Sequence, residues 1–182
     1  MPSASFNQRN PGTGSDRARL GRIDVAPAAR REIDSGAEPL WGQFLRTWES
    51  LAAAKGRYPA RSEIDPAALG AKLLPNVFLV DVVATPGLSA PRFRYRLLGQ
   101  GIIEREPTRS GDFVDQIGST GDIVAIENHY LGCLEGKVWI RDASLAWTDP
   151  RGGYLRYRVM MLPLSEDGET VTHLIGLALY EF

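Results

Sequence analysis

Between Arg92 and Leu98 the chain alternates strictly, with Phe93, Tyr95 and Leu97 on one side and Arg92, Arg94 and Arg96 on the other. Such a period of two describes a strand with one face in a core and the other toward water or a covering layer, the pattern typical of antiparallel sheets. The segment Val77–Ala84 just before it is rich in β-branched residues, and Thr85-Pro-Gly-Leu-Ser-Ala-Pro91 joins the two with turn-forming residues. Together they predict an antiparallel hairpin.

Three more strands are expected at Lys137–Trp147, Tyr154–Leu162 and Thr170–Tyr180, joined by turns at Asp149-Pro-Arg-Gly-Gly153 and Ser165-Glu-Asp-Gly168. The rest of the pattern is helical. Leu40, Trp41, Phe44, Leu45, Trp48, Leu51 and Ala52 recur at helical spacing between Pro39, suited to a first turn, and Gly56, suited to a stop. Asp65-Pro66 opens a second, short helix, because a carboxylate can accept from the free N–H groups of a first turn. A third is expected from about Gly121 to Leu134, with Ile123, Ile126, Tyr130 and Leu134 on one side and Ser119 or Thr120 as its cap.

Residues 1–35 contain few apolar side chains, no tryptophan and no tyrosine. Chains of that kind bury too little surface to offset the entropy of ordering, so a flexible tail is expected before one domain at 36–182, and its removal should leave stability unchanged. The composition narrows function further. With 21 basic and 22 acidic residues no net field favours nucleic acid or a membrane surface. Cys133 is the one cysteine, which excludes an intrachain disulfide and fits a reducing compartment. No signal-peptide-like apolar stretch is present at the N-terminus, and the expectation is a cytoplasmic protein.

The order of elements is helices, two strands, a helical segment, then three strands. Local words accompany that order: Pro59-x-Arg61-x-x-Ile64-Asp65-Pro66, Leu73-Leu74-Pro75-Asn76-Val77-Phe78-Leu79-Val80-Asp81, Phe93-Arg94-Tyr95-Arg96-Leu97-x-Gly99 and Leu162-Pro163-Leu164-Ser165-x-x-Gly168. With the Trp48 helix, these resemble the PAS family, and in particular short stand-alone bacterial PAS-domain proteins, over about Leu40 to Phe182. The resemblance implies an α+β fold: a five-stranded antiparallel sheet in spatial order 2-1-5-4-3, helices closing over one face, and the N-terminal helix outside that pocket. It also implies a non-catalytic sensory or signalling module.

Each candidate for chemistry has a plain structural counterpart. Gly99-Gln100-Gly101 follows a strand as a dinucleotide-binding turn would, but Glu104 stands where the third glycine belongs, and a tight strand-to-helix turn explains both glycines. His129 and Cys133, four apart on one helical side, could direct two ligands to one metal, yet no second motif completes a site. Haem-binding PAS proteins take an axial histidine from this region, which makes His129 the candidate haem ligand. The light-sensing signature Asn-Cys-Arg-Phe is absent. Neither histidine accompanies a nucleophile elbow, so a small α+β enzyme using His129 is the minority reading. Arg94 with Arg96, and Arg156 with Arg158, place paired guanidiniums on sheet faces, where they could meet acidic groups or simply face solvent.

The expected pocket residues are Phe78, Val80, Tyr95, Leu97, Ile126, Tyr130, Val138, Ile140, Tyr157, Val159 and Met161. No cofactor is expected. A small molecule would enter a pocket of this kind, largely apolar with a few hydroxyls; the alternative is a scaffold whose core is filled and which acts through protein contacts. The stripe Leu40, Trp41, Phe44, Leu45 and Trp48 is wider than one sheet face requires, so it is expected to carry a homodimer interface, the alternative being that it covers its own sheet. An unidentified signalling protein completes the expected partners.

Overall fold

The computed structural model describes residues 21–117, 120–145 and 155–181. Among these residues seven strands and five α-helices run in the order β1 (Asp24–Val25), α1 (Pro27–Ser35), α2 (Pro39–Lys55), α3 (Pro66–Leu69), β2 (Val77–Val83), β3 (Arg92–Leu98), α4 (Gln100–Ile103), α5 (Thr120–Leu134), β4 (Lys137–Val138), β5 (Ile140–Leu145), β6 (Leu155–Leu164) and β7 (His173–Tyr180). Five strands form one sheet in the order β3-β2-β7-β6-β5, every neighbouring pair antiparallel. Counted among those five, this is 2-1-5-4-3, the order that the resemblance implies. The expected turn at 149–153, the ends of the two strands flanking it, and Ser119 lie outside the described residues.

Helix α2 forms where its pattern predicts it. Pro39 sits in its first turn, the Glu38 side chain accepts from Leu40 N–H, and Gly56 ends it in the left-handed conformation with its N–H on Ala52 O. Asp65 caps α3 in the same way, accepting from Ala67 N–H. The core lies on both sides of the sheet. Phe78, Val80, Phe93, Tyr95, Tyr157, Val159 and Met161 face α4 and α5. Val77, Met160, Leu162, Leu164, Ile175 and Leu177 face α2.

Three expectations need correction. First, the tail does not extend to residue 35. Residues 1–20 lie outside the described part, but β1 pairs in parallel with β4, Asp24 beside Lys137 and Val25 beside Val138, and α1 follows at once. Ala29 is buried, and Val25 and Ile33 pack on the outer cluster. Arg158 on β6 binds the Glu32 carboxylate with both terminal nitrogens and reaches Asp142 at 2.8 Å, pinning α1 to the sheet. The segment has few apolar residues, but Val25 on β1 and Ile33 on α1 both reach the outer cluster.

Second, Lys137–Trp147 is not one strand. Val138 pairs outside the main sheet, and Ile140 starts the strand that belongs to it. Third, the outer stripe of α2 is consumed within the chain: Trp41, Phe44, Leu45 and Trp48 are buried against the sheet, and only Leu40 is partly exposed. Trp48 also donates its indole N–H to Pro163 O at 2.8 Å. The outer face of four adjoining strands needs that cover, so Trp41, Phe44, Leu45 and Trp48 belong to the monomer's core and not to an exposed stripe.

Candidate functional site

The inner face of the sheet and the helices above it enclose a cavity of about 20 Å³. A single water needs roughly 10–15 Å³ on that scale, so the void holds about one. Phe78 from β2, Tyr95 and Leu98 from β3, Tyr157 and Val159 from β6 and Ala178 from β7 form its floor. Ile102 of α4, Glu106 just beyond it, and Ile126 and Tyr130 of α5 close it above, with Arg141 entering from β5.

Six expected pocket residues, Phe78, Tyr95, Ile126, Tyr130, Tyr157 and Val159, line this void. Val80 and Met161 belong to the same buried cluster without reaching it. Leu97 does not point inward: it is 49% exposed, and Leu98 takes its place. The pairing of β2 with β3 shifts between Leu79 and Val80, so Arg96 is an extra residue opposite no partner. One inserted residue reverses the alternation beyond it. Val138 and Ile140 also leave the pocket and pack on the outer cluster. The parity of β5 is one residue off the expected phase, which turns Arg141 inward, with Ala143 packed on the inner cluster.

That phase produces a polar cluster in an apolar setting. The hydroxyls of Tyr95 and Tyr130 lie 3.1 Å apart, and Tyr180 donates to Glu106 Oε1 at 2.7 Å. Burial raises the pKa of Tyr95, Tyr130 and Tyr180, so each remains a neutral hydroxyl. Burial also raises the Glu106 carboxyl, although the Tyr180 hydrogen bond and the Arg141 charge oppose it. The other lining residues were missed from sequence: Leu98 lies beyond the bulge, Ile102 and Glu106 on the α4 segment and Arg141 at the unexpected parity, while Ala178 is on β7, for which the sequence alone assigned no inward face.

His129 is buried in the same layer. Its Nε2 faces Trp139 O at 3.2 Å, Arg141 Nε approaches its Nδ1 at 3.4 Å, and its ring lies against Trp139 at a tilt, centroids 4.6 Å apart. Burial first, then the Arg141 charge, lowers its pKa from 6.5 to about 3, so the ring is neutral. Both ring nitrogens are occupied within the chain. Cys133 is fully buried and burial raises its thiol pKa. Among the described residues no group of three His, Cys, Asp or Glu side chains could hold a metal ion.

The arginine pairs face the outer side. Asp81, nearly buried, accepts from Arg94 at 2.8 Å and from Arg96 at 3.3 Å, and His173 lies 3.6 Å away. Burial raises the Asp81 carboxyl, but the two guanidiniums outweigh it and hold it below the usual value. Arg158 is held by Glu32 and Asp142 near the opposite edge of the sheet, so the two pairs form no common patch. Gly99 and Gly101 have a structural role. A Cβ at Gly99 would collide with Pro75 O, and one at Gly101 would stand 2.8 Å from Asn76 Oδ1, so the glycines let α4 start against the preceding turn.

Among the described residues no helix is long and apolar enough to cross a membrane. No protein-family model matches the chain, and no curated protein does. Among solved structures, a PAS domain from Colwellia psychrerythraea is 13% identical over 64% of this chain and 98% of its own, with a TM-score of 0.45. The periplasmic sensory domain of the Campylobacter jejuni chemoreceptor Tlp1 is 12% identical over 82% of this chain and 57% of its own, with a TM-score of 0.41. The PAS domain of Bordetella pertussis BvgS is 14% identical over 58% and 75%, with a TM-score of 0.32. Such similarities are distant, and the strand order carries the assignment. A five-stranded antiparallel sheet in the order 2-1-5-4-3, with α4 and α5 closed over one face, makes this chain a PAS-type fold.

Proposed function

We propose that the protein is a non-catalytic sensory module that receives a small guest between α4, α5 and the inner face of the sheet and signals through contact with another protein. One observation carries the reading: a glutamate and an arginine, Glu106 and Arg141, line an otherwise aromatic and apolar cavity with tyrosine hydroxyls beside it. Polar groups among apolar walls are costly to bury, and a few of them in an apolar pocket are what orients a ligand. The occupied ring nitrogens of His129 and the buried, protonated thiol of Cys133 support the non-catalytic part.

A guest larger than water needs α4 and the Glu106 side chain to move. The small void favours a second reading, a PAS-fold scaffold with a filled core that works only by protein contact. Native mass spectrometry of freshly purified protein separates them. A bound mass released on denaturation supports the sensor. A bare polypeptide whose melting temperature no small molecule raises supports the scaffold.

A further inference from the structure

We propose that the cavity takes a small monocarboxylate with a compact apolar body, held by Arg141 in competition with the protein's own Glu106 carboxylate. This rests on the guest-binding reading above and specifies the chemistry of the guest. Arg141 is the one cation among the described residues lining the void. A guanidinium matches a carboxylate as a two-pronged donor, and the match is strongest where water is excluded. The hydroxyls of Tyr95 and Tyr130 strengthen the polar end. They share one hydrogen bond at 3.1 Å, which uses one of their two hydrogens and leaves the other to donate.

Glu106 is the internal stand-in. Its carboxylate accepts from Tyr180 and feels the Arg141 charge. It ends the α4 turn and is followed by irregular chain as far as Asp112, so its side chain can leave without breaking a strand. Its departure frees space that the 20 Å³ void lacks. The rest of the wall, Phe78, Leu98, Ile102, Ile126 and Val159, is apolar and suits a short aliphatic or aromatic group. A second carboxylate on the guest would meet that wall or Glu106, which disfavours dicarboxylates.

Calorimetric titration and thermal melting of the full chain with propionate, benzoate, their amides and succinate test this. The two monocarboxylates should bind and raise the melting temperature, with the amides and succinate at least about tenfold weaker. Arg141→Gln should weaken benzoate on the order of 30-fold or more, as expected for removing one partner of a buried charge pair. Glu106→Gln should tighten binding severalfold, because the competing charge is gone. If Arg141→Gln fails to fold by near-ultraviolet circular dichroism, Glu106→Gln decides alone: tighter binding supports the proposal, and unchanged or weaker binding overturns it. Equal binding of acids and amides overturns the proposal while leaving the guest-binding reading in place. So does a co-purifying guest without a carboxylate. Absence of both probe binding and any co-purified guest sinks the two together.

Discussion

The two faces of the sheet are built differently. The outer face meets α2 through Trp41, Phe44, Leu45, Trp48, Met160, Leu162, Leu164, Ile175 and Leu177, every one almost completely buried. The inner face meets α4 and α5 through aromatic rings that carry hydroxyls, with a histidine, a glutamate and an arginine among them and a small void left between them. Close-packed apolar contact is the cheaper way to hold a sheet, whereas buried polar groups must each find a partner. The outer face is therefore the better stabilised of the two, and the inner face carries polar groups that each need a partner.

The largest effect should come from the outer face. Trp48→Ala removes a buried ring and its hydrogen bond to Pro163, and should cost about 3–5 kcal/mol, measured by urea unfolding. A loss below roughly 1 kcal/mol would show that α2 contributes little to the core. Next, deletion of residues 2–35 should lower the melting temperature by roughly ten degrees, because it strips β1 and α1 from the outer cluster. Deletion of residues 2–20 alone spares those elements and serves as the comparison.

The inner face should reveal itself through pH. His129 has a folded pKa of about 3 against the usual 6.5, so between those values the unfolded chain takes up a proton that the folded chain excludes. Stability should fall as pH drops through that window, by about 1.4 kcal/mol per pH unit at most. His129→Gln should flatten this slope in unfolding curves at pH 7, 6 and 5. An unchanged slope would place the proton elsewhere.

The smallest effect concerns the paired hydroxyls. Tyr95→Phe leaves the Tyr130 hydroxyl without its 3.1 Å partner, and should cost about 1–3 kcal/mol. The double change of Tyr95 and Tyr130 to Phe should recover most of that loss, because it removes both polar groups together. Simple addition of the two single effects would mean that the hydroxyls do not depend on each other.

Periodicity made much of the fold legible. The alternation of Phe93 and Tyr95 gave β3 its inward face, the stripe from Trp41 to Ala52 gave α2, and Asp65-Pro66 gave the start of α3. These are local signals, set by backbone geometry within a few residues. The site was legible only in part. Phe78, Tyr95, Tyr157 and Val159 followed from strand parity and Ile126 and Tyr130 from helical spacing, but Leu97 broke the rule, since a bulge leaves no reliable mark in composition. Arg141 was passed over because an arginine in a strand reads as solvent-facing unless the strand's phase is known.

By itself, then, the sequence determined the class of fold, the order of its elements and most of the residues available for a core, because propensity, capping and apolar spacing act along the chain. Tertiary structure alone decided which core each residue joined. Pairing of β1 with β4 turned residues 24–35 into part of the domain, the β2–β3 register shift put Leu98 rather than Leu97 inside, and the start of β5 at Ile140 brought Arg141 to face Glu106 across the cavity. Register and phase are fixed by contacts between segments far apart in the chain, and a displacement of one residue exchanges the buried face for the exposed one.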